Sequence, residues 1–282
     1  MTFERVGIGP DSVTIMELKN AVDNPIITFP HPSKLNENTE FYIPVHKINQ
    51  TGLSLMNSAK TETLYRLRET ISNWAFYSTY GLQSDKIRRS VLIEQTPKLN
   101  EDAGNLSAVL FFLMTEHRRA FDEIQDLLRQ IVPAFTGLTV KARGGPGEIM
   151  AFWREGDQEL TLADVSDGIL RLLCWMVLCV MPNPPSLICI DEPDQGVHPR
   201  TLPILAGLFR RASQRTQILL ATHNSYFLTQ FDFGEIAVMR KKDRNIEFLK
   251  PAHSQVLIDM LADFGSQELE HLHRSDELEL LP

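Results

Sequence analysis

Two adjacent carboxylates, Asp191 and Glu192, close a run of four apolar residues, Leu187-Ile188-Cys189-Ile190, and are followed at once by Pro193. An unbroken apolar run of this kind suits a strand buried on both faces, as in a parallel sheet covered by helices. A pair of carboxylates at its end is costly to bury without a partner. Two readings fit. One is a plain acidic turn after a strand. The other is a site where the pair handles Mg²⁺ carrying a nucleotide phosphate, with a water nearby to activate.

Three neighbouring segments bear on that choice. Val165-Ser166-Asp167-Gly168-Ile169-Leu170-Arg171 is a small-polar turn opening a long helix. Its first backbone N–H groups and the positive end of the helix dipole suit a phosphate, and equally a plain N-cap by Ser166 or Asp167. Asp194-Gln195-Gly196-Val197-His198-Pro199 follows the acidic pair directly. There Gly196 permits a tight turn, and Pro199 suits the first position of the next helix. Ile218-Leu219-Leu220-Ala221-Thr222-His223-Asn224-Ser225 is a second apolar strand ending in a histidine. A His after one parallel strand, beside carboxylates after another, lies where open α/β sheets bind ligands.

The elements that must position these residues follow from periodicity. From about residue 166 onward strands and helices alternate: a helix from Asp167 to Val180, strand 186–190, helix 201–213, strand Gln217 to Ala221, helix Ser225 to Gln230 and strand Glu235 to Arg240. Ile246 to Leu249 can pair with that last strand. This alternation indicates a parallel α/β unit. Upstream, Val13 to Ile15, Ile26 to Phe29 and Phe41 to Ile43 are short β-prone pieces. A helical pattern spans Ser58 to Ser78, Ser84 to Asn100 is loop-like, and two helices cover 105–116 and 119–131. Thr136 to Val140 and Ile149 to Arg154 read as strands around the Gly144-Gly145-Pro146-Gly147 turn. Four regions are expected: a β-rich part of a first lobe (1–57), a helical lobe with short strands (58–165), an α/β core (166–250) and an acidic tail (251–282) that ends in a frayed helix.

Bulk properties describe an ordinary globular chain: 282 residues, 43% hydrophobic and 23% charged. A net charge of -8 argues against a broad polyanion-binding face but not against a local basic groove. The basic groups Lys86, Arg88, Arg89, Arg118, Arg119, Arg210, Arg211, Arg215 and Arg240 to Lys242 are expected on solvated faces. Cys174, Cys179 and Cys189 sit in apolar segments without metal-ligand spacing and read as small core residues of a reducing compartment. The apolar run from Leu170 to Met181 is too short to span a membrane, so a cytoplasmic location is the expectation.

The order VSDGILRLL, then LICIDEPDQGVHP, then ILLATHNSYFL resembles the RecF-like and SMC-like branch of ATP-binding-cassette ATPases: signature loop, Walker B strand with D-loop, and H-loop. Asn73 to Ser78 and Glu101 to Leu110 are similar to segments of predicted ATPases of the AAA type, so the resemblance covers roughly residues 60–250. It implies a P-loop NTPase fold of the α/β class with a helical lobe. It also implies ATP and Mg²⁺ as cofactors and a homo- or hetero-dimer closing through signature and D-loop faces. Carried over, Asp191 holds Mg²⁺, mostly through water, Glu192 polarises the attacking water, and His223 senses the γ-phosphate. Ser166, Asp167 and Gly168 contact ATP bound to the opposite subunit, and Gln195, Gly196 and His198 lie along the dimer seam. DNA repair, chromosome handling and phage defence are the processes the resemblance implies, with DNA as a partner. The signature reads VSDGI rather than LSGGQ, Asp194 stands where Glu is more usual, and Asn224-Ser225 replaces the frequent Ser-Pro.

One family element is absent from the sequence. No G-x-x-x-x-G-K-[ST] occurs. That loop cradles the phosphates and supplies a Lys and a hydroxyl. The expectation is a chain whose P-loop and its strand come from another polypeptide, or one that no longer turns over ATP and serves as an interaction subunit. Without that strand, 217–221 is left as an apolar edge, and a third option is that the Val13 or Thr28 segment fills the position.

Overall fold

The computed structural model describes residues 4–8, 13–19, 26–30, 38–42, 62–242, 245–250 and 252. The chain divides into two compact units, 1–74 and 75–282. In the first, β1 (Glu4–Ile8), β2 (Val13–Lys19), β3 (Ile26–Pro30) and β4 (Asn38–Tyr42) form an antiparallel meander in sequence order, and α1 (Glu62–Ser72) follows. The Val13 and Thr28 segments thus pair with one another rather than with strand 217–221. The expected helix reaching Ser78 stops at Ser72. Trp74–Ser78 is instead β5, because its aromatic residues suit a half-buried sheet and it pairs beside the acid-bearing strand.

The second unit holds two further sheets and their helices. Residues 84–100 are more ordered than their polarity indicates: α2 (Ser84–Ile87) and β6 (Val91–Leu92) lie there, anchored by the buried Ile87. Helix α3 (Leu106–Glu116) and α4 (Arg118–Ile131) pack together and against a sheet in which β8 (Glu148–Glu155) is flanked by β7 (Phe135–Ala142) on one side and by β6 and β9 (Gln158–Thr161) on the other. The β7–β8 turn needs glycine, with φ of 104° at Gly144 and 77° at Gly147. Helix α4 ends where Val132 turns extended before Pro133.

Helix α5 (Asp167–Val180) is apolar nearly all round and is correspondingly buried, from Leu170 through Val180 apart from Arg171. It starts after an extended Ser166 and stops at Met181, whose ψ of 133° is what the following Pro182 demands. Cys174 and Cys179 lie inside it as free, buried thiols, and burial pushes the Cys174 thiol up to about 12. Helix α5 packs between α4 and α6 (Leu202–Ser213), and α6 lies on β11 (Gln217–Ala221). The sheet order here is β11-β10-β5, with β10 at Leu187–Asp191 and β10 and β11 parallel in register from Leu187↔Gln217 to Asp191↔Ala221. Helix α7 (Ser225–Leu228) and a 3₁₀ turn (Phe233–Glu235) lead to the antiparallel ribbon β12 (Val238–Lys242) and β13 (Asn245–Leu249). The strand expected from Glu235 starts later because Asp232 and Glu235 form a capping box over that turn. The tail helix expected after 251 lies outside the described residues. No helix among the described residues is long and apolar enough to cross a membrane.

Candidate functional site

The in-register pairing of β10 and β11 sets the site. Asp191 stands opposite Ala221 at the carboxyl ends of two neighbouring parallel strands, so Glu192 and His223 emerge side by side. The Glu192 N–H donates to the Ala221 carbonyl (2.8 Å), continuing the ladder one step beyond the strand. Glu192 then takes φ of 53°, in the left-handed region. The conformation is sterically costly for a residue with a side chain, and it holds because many bonds fix it. The Glu192 carbonyl accepts from the Gln195 N–H (3.2 Å) and from Thr79 Oγ1. Its carboxylate accepts the His223 N–H (3.1 Å) and the Gln195 amide (3.4 Å).

The two acids differ in environment. Asp191 is exposed, and among the described residues nothing bonds its carboxylate. Glu192 is buried. The His223 ring is 96% exposed, with Nε2 3.9 Å from Glu192 Oε1. Its backbone is therefore fixed while its imidazole projects outward. The free Asp191 carboxylate fits a single ligand position on Mg²⁺, an ion that keeps water and phosphate oxygens as its other ligands. Among the described residues no group of three or more His, Cys, Asp or Glu gathers to hold a metal unaided. The residues present thus fit one side of a magnesium–nucleotide site.

The segment at the start of α5 is clipped to the loop after the acids. Gly168, Arg171 and Trp175 repeat at steps of three and four, so they share one helix face. That face lies on residues 193–196. Trp175 Nε1 donates to the Pro193 carbonyl (3.0 Å), and an Arg171 guanidinium nitrogen donates to the Gln195 carbonyl (3.2 Å). A Cβ on Gly168 would overlap the Gly196 carbonyl, and a Cβ on Gly196, whose φ is 73°, would overlap Arg171. The close approach to backbone requires glycine at 168, and the positive φ favours it at 196. Ser166 is an exposed N-cap residue whose hydroxyl makes no cap bond. Asp167 is bonded by Arg88 (2.8 Å), which holds its carboxyl below the usual aspartate range, with Ser84 adding a second bond. His198 acts locally, its Nδ1 accepting the Arg200 N–H (3.2 Å) at the start of the next turn.

The structure therefore gathers Asp191, Glu192, Gln195 and His223 at one point and joins Gly168 to Gly196 beside them. Sequence reading assigns no supporting role to four residues and names three of them only in other connections. Thr79 directly follows β5, and its N–H donates to the Asp191 carbonyl (3.1 Å). Arg88 reaches the carbonyls of Leu162 (3.2 Å) and Val165 (2.9 Å) as well as Asp167. Arg171 and Asp194 complete the set. None carries a local signal, since their partners lie far along the chain. A threonine directly after a β-prone aromatic run was the one available cue.

Parallel strands with helices around them, and acids and a histidine at the carboxyl strand ends, fit an α/β fold of the P-loop NTPase type. Over residues 9–229 the sequence matches the family model described as "AAA domain, putative AbiEii toxin, Type IV TA system". The chain belongs to that family. No curated protein matches it. Among solved structures it is similar to a chain from work on the ATP-driven dimerization and DNA-stimulated activation of SMC ATPases, at 13% identity and TM-score 0.40, over 55% of this chain and 95% of that one. It is also similar to an SMC head bound to the C-winged helix domain of ScpA, at 11% identity and TM-score 0.46, over 83% and 73%. The SMC head domain from Thermotoga maritima matches at 11% identity and TM-score 0.38, over 83% and 72%. At these TM-scores the likenesses carry no functional weight.

Proposed function

We propose that this chain supplies the Walker B, signature and H-loop side of an ATP site at a dimer interface, completed by a P-loop that this sequence does not contain. The observation that carries this reading is the juxtaposition at the strand ends: a free Asp191 carboxylate, a buried Glu192, and a His223 whose N–H is bonded to that same Glu192. In this reading Asp191 is the protein ligand to Mg²⁺. Bound Mg²⁺–ATP supplies the phosphoryl group and the charge that the ion neutralises. Glu192 orients and deprotonates a water, and the exposed His223 ring contacts the terminal phosphate. Ser166, Asp167, Gly168, Gln195, Gly196 and His198 form the face turned to the opposite subunit. Phosphoryl transfer depends on positioning and charge stabilisation, which is what so heavily bonded a glutamate provides. The process served is DNA repair, chromosome handling or phage defence, with DNA as a partner.

In an assembly with a P-loop-bearing chain, Glu192→Gln keeps the carbonyl oxygen that accepts from His223 but removes the base. The expected outcome is an ATP-bound dimer that accumulates on size-exclusion chromatography while phosphate release slows about 100-fold or more. Unchanged turnover would remove Glu192 from the chemistry. A second reading rests on the lack of a G-x-x-x-x-G-K-[ST] sequence: a non-catalytic interaction subunit that uses the same face for a partner. Clear phosphate release by a homogeneous preparation containing this chain, abolished by Glu192→Gln, eliminates that alternative.

A further inference from the structure

Asp194 is 4% exposed, while Gln195 and Gly196 directly after it are exposed. It is not idle. Its Oδ1 accepts from Thr222 Oγ1 (2.7 Å) and its Oδ2 from Asn224 Nδ2 (2.9 Å), the two residues on either side of His223. The bonds continue outward from there. The Asn224 N–H donates to Thr222 Oγ1 (3.0 Å), and Asn224 Oδ1 accepts the Phe227 N–H (3.1 Å) as the cap of α7. The His223 N–H is held by the Glu192 carboxylate, while its ring is almost fully exposed. A buried carboxylate with two donors aimed at it is a demanding arrangement, since removal of either partner leaves an unsatisfied polar group.

We infer that Asp194 is a positioning residue that locks the His223 loop to the 194–198 loop, so that the two move as one body. The inference rests on the reading that His223 meets the phosphate and that residues 195–198 lie along the dimer seam. It adds that a displacement at the seam reaches His223 through the Asp194 carboxylate. The route is short and covalently direct: Asp194 adjoins Gln195, and Thr222 and Asn224 adjoin His223. On the other side, the Arg171 bond to the Gln195 carbonyl and the Gly168–Gly196 contact tie the same loop to the start of α5.

The donor and acceptor pattern supplies its own test. Asp194→Asn turns one of the two acceptors into a donor, so one of the two facing donors loses its acceptor, and Asn224→Asp places two carboxylates face to face. The double exchange restores one acceptor and one donor, and an aspartate at 224 still accepts the Phe227 N–H. Backbone amide exchange of the full chain, read by NMR, is expected to quicken about tenfold at His223 in each single variant. The amides of Ile190 and Leu220 inside the strands should keep their rates, and the double exchange should restore protection at His223. A uniform loss across the strands means a merely structural role and overturns the inference, as does a double variant that fails to restore protection. If neither single variant folds, the doubly exchanged chain alone decides by whether its His223 amide is protected. In an ATP-hydrolysing assembly the singles should lower kcat with KM held, and the double should recover it. Exchange that responds while kcat stays constant supports the lock and overturns the phosphate role of His223.

Discussion

Glu192 combines the proposed base with a left-handed backbone, one of two such non-glycine positions among the described residues, Ala103 being the other. The φ of 53° at Glu192 is unfavourable by about 1–2 kcal/mol for an L residue with a side chain. The conformation aims its carboxylate back across the strand end, where the His223 N–H and the Gln195 amide receive it. Thr79, 1% exposed, is the clamp from the opposite side. Its N–H holds the Asp191 carbonyl and its hydroxyl holds that of Glu192. Thr79→Val preserves shape and removes the hydroxyl. The Gln195 N–H still reaches the Glu192 carbonyl, so the expected loss is about 1 kcal/mol, read as a lower denaturant midpoint at unchanged slope. Thr79→Ser should recover most of it. A midpoint identical to wild type in Thr79→Val would show that the turn is held without this clamp.

At the scale of elements, the short-range parts of the site were legible and the long-range parts were not. The apolar run ending in Asp191-Glu192, the helix from Asp167 to Val180 and the strand from Gln217 to Ala221 are local patterns, and each lies where its periodicity places it. Trp74 to Ser78 misled because its spacing continues the helical pattern before it, while pairing with β10 decides in favour of a strand. Arg88 could not be found from sequence. It lies in a polar stretch and acts on carbonyls more than seventy positions away, which no local pattern encodes. Its grip on the turn before α5 can be read through Asp167. The bond from Arg88, then that from Ser84, holds the Asp167 carboxyl below its ordinary range. A depressed folded-state value contributes stability above the unfolded value, and this is lost as pH falls through the folded one. Asp167 is exposed and Arg88 half-buried, so the effect is modest and weakens with salt. Carboxyl-carbon NMR titration should give a midpoint for Asp167 below the ordinary value of about 3.9, rising toward it in Arg88→Gln. A midpoint indifferent to Arg88→Gln would mean that the guanidinium does not organise this turn.

For the molecule as a whole, the sheet β11-β10-β5 is covered on one face and open on the other within the described residues. Ile188 and Ile190 are buried on one side of β10, with the in-register Ile218 and Leu220 of β11 partly buried beside them. The alternate residues point the other way. Leu219, in register with Cys189, is 61% exposed, and Phe76 on β5 is 54% exposed. Parallel sheets are ordinarily covered on both faces, and a strand whose second edge is unpaired is a template for another chain. Among the described residues β11 has β10 as its only strand neighbour. An apolar face and an open edge meeting at Leu219 make this the expected seam of self-association for the chain studied alone. Leu219→Lys puts a charge on that face without touching the strand's ladder bonds, since only the side chain changes. Light scattering at rising protein concentration should show less association in this variant than in wild type. Leu92→Lys is the control: Leu92 is equally exposed, at 64%, but lies on β6 in a different sheet. If both substitutions reduce association alike, net charge is responsible. If Leu219→Lys alone does so, the open β11 edge and its apolar face are the surface at which the chain sticks, and any condition that covers them should suppress association in the same way.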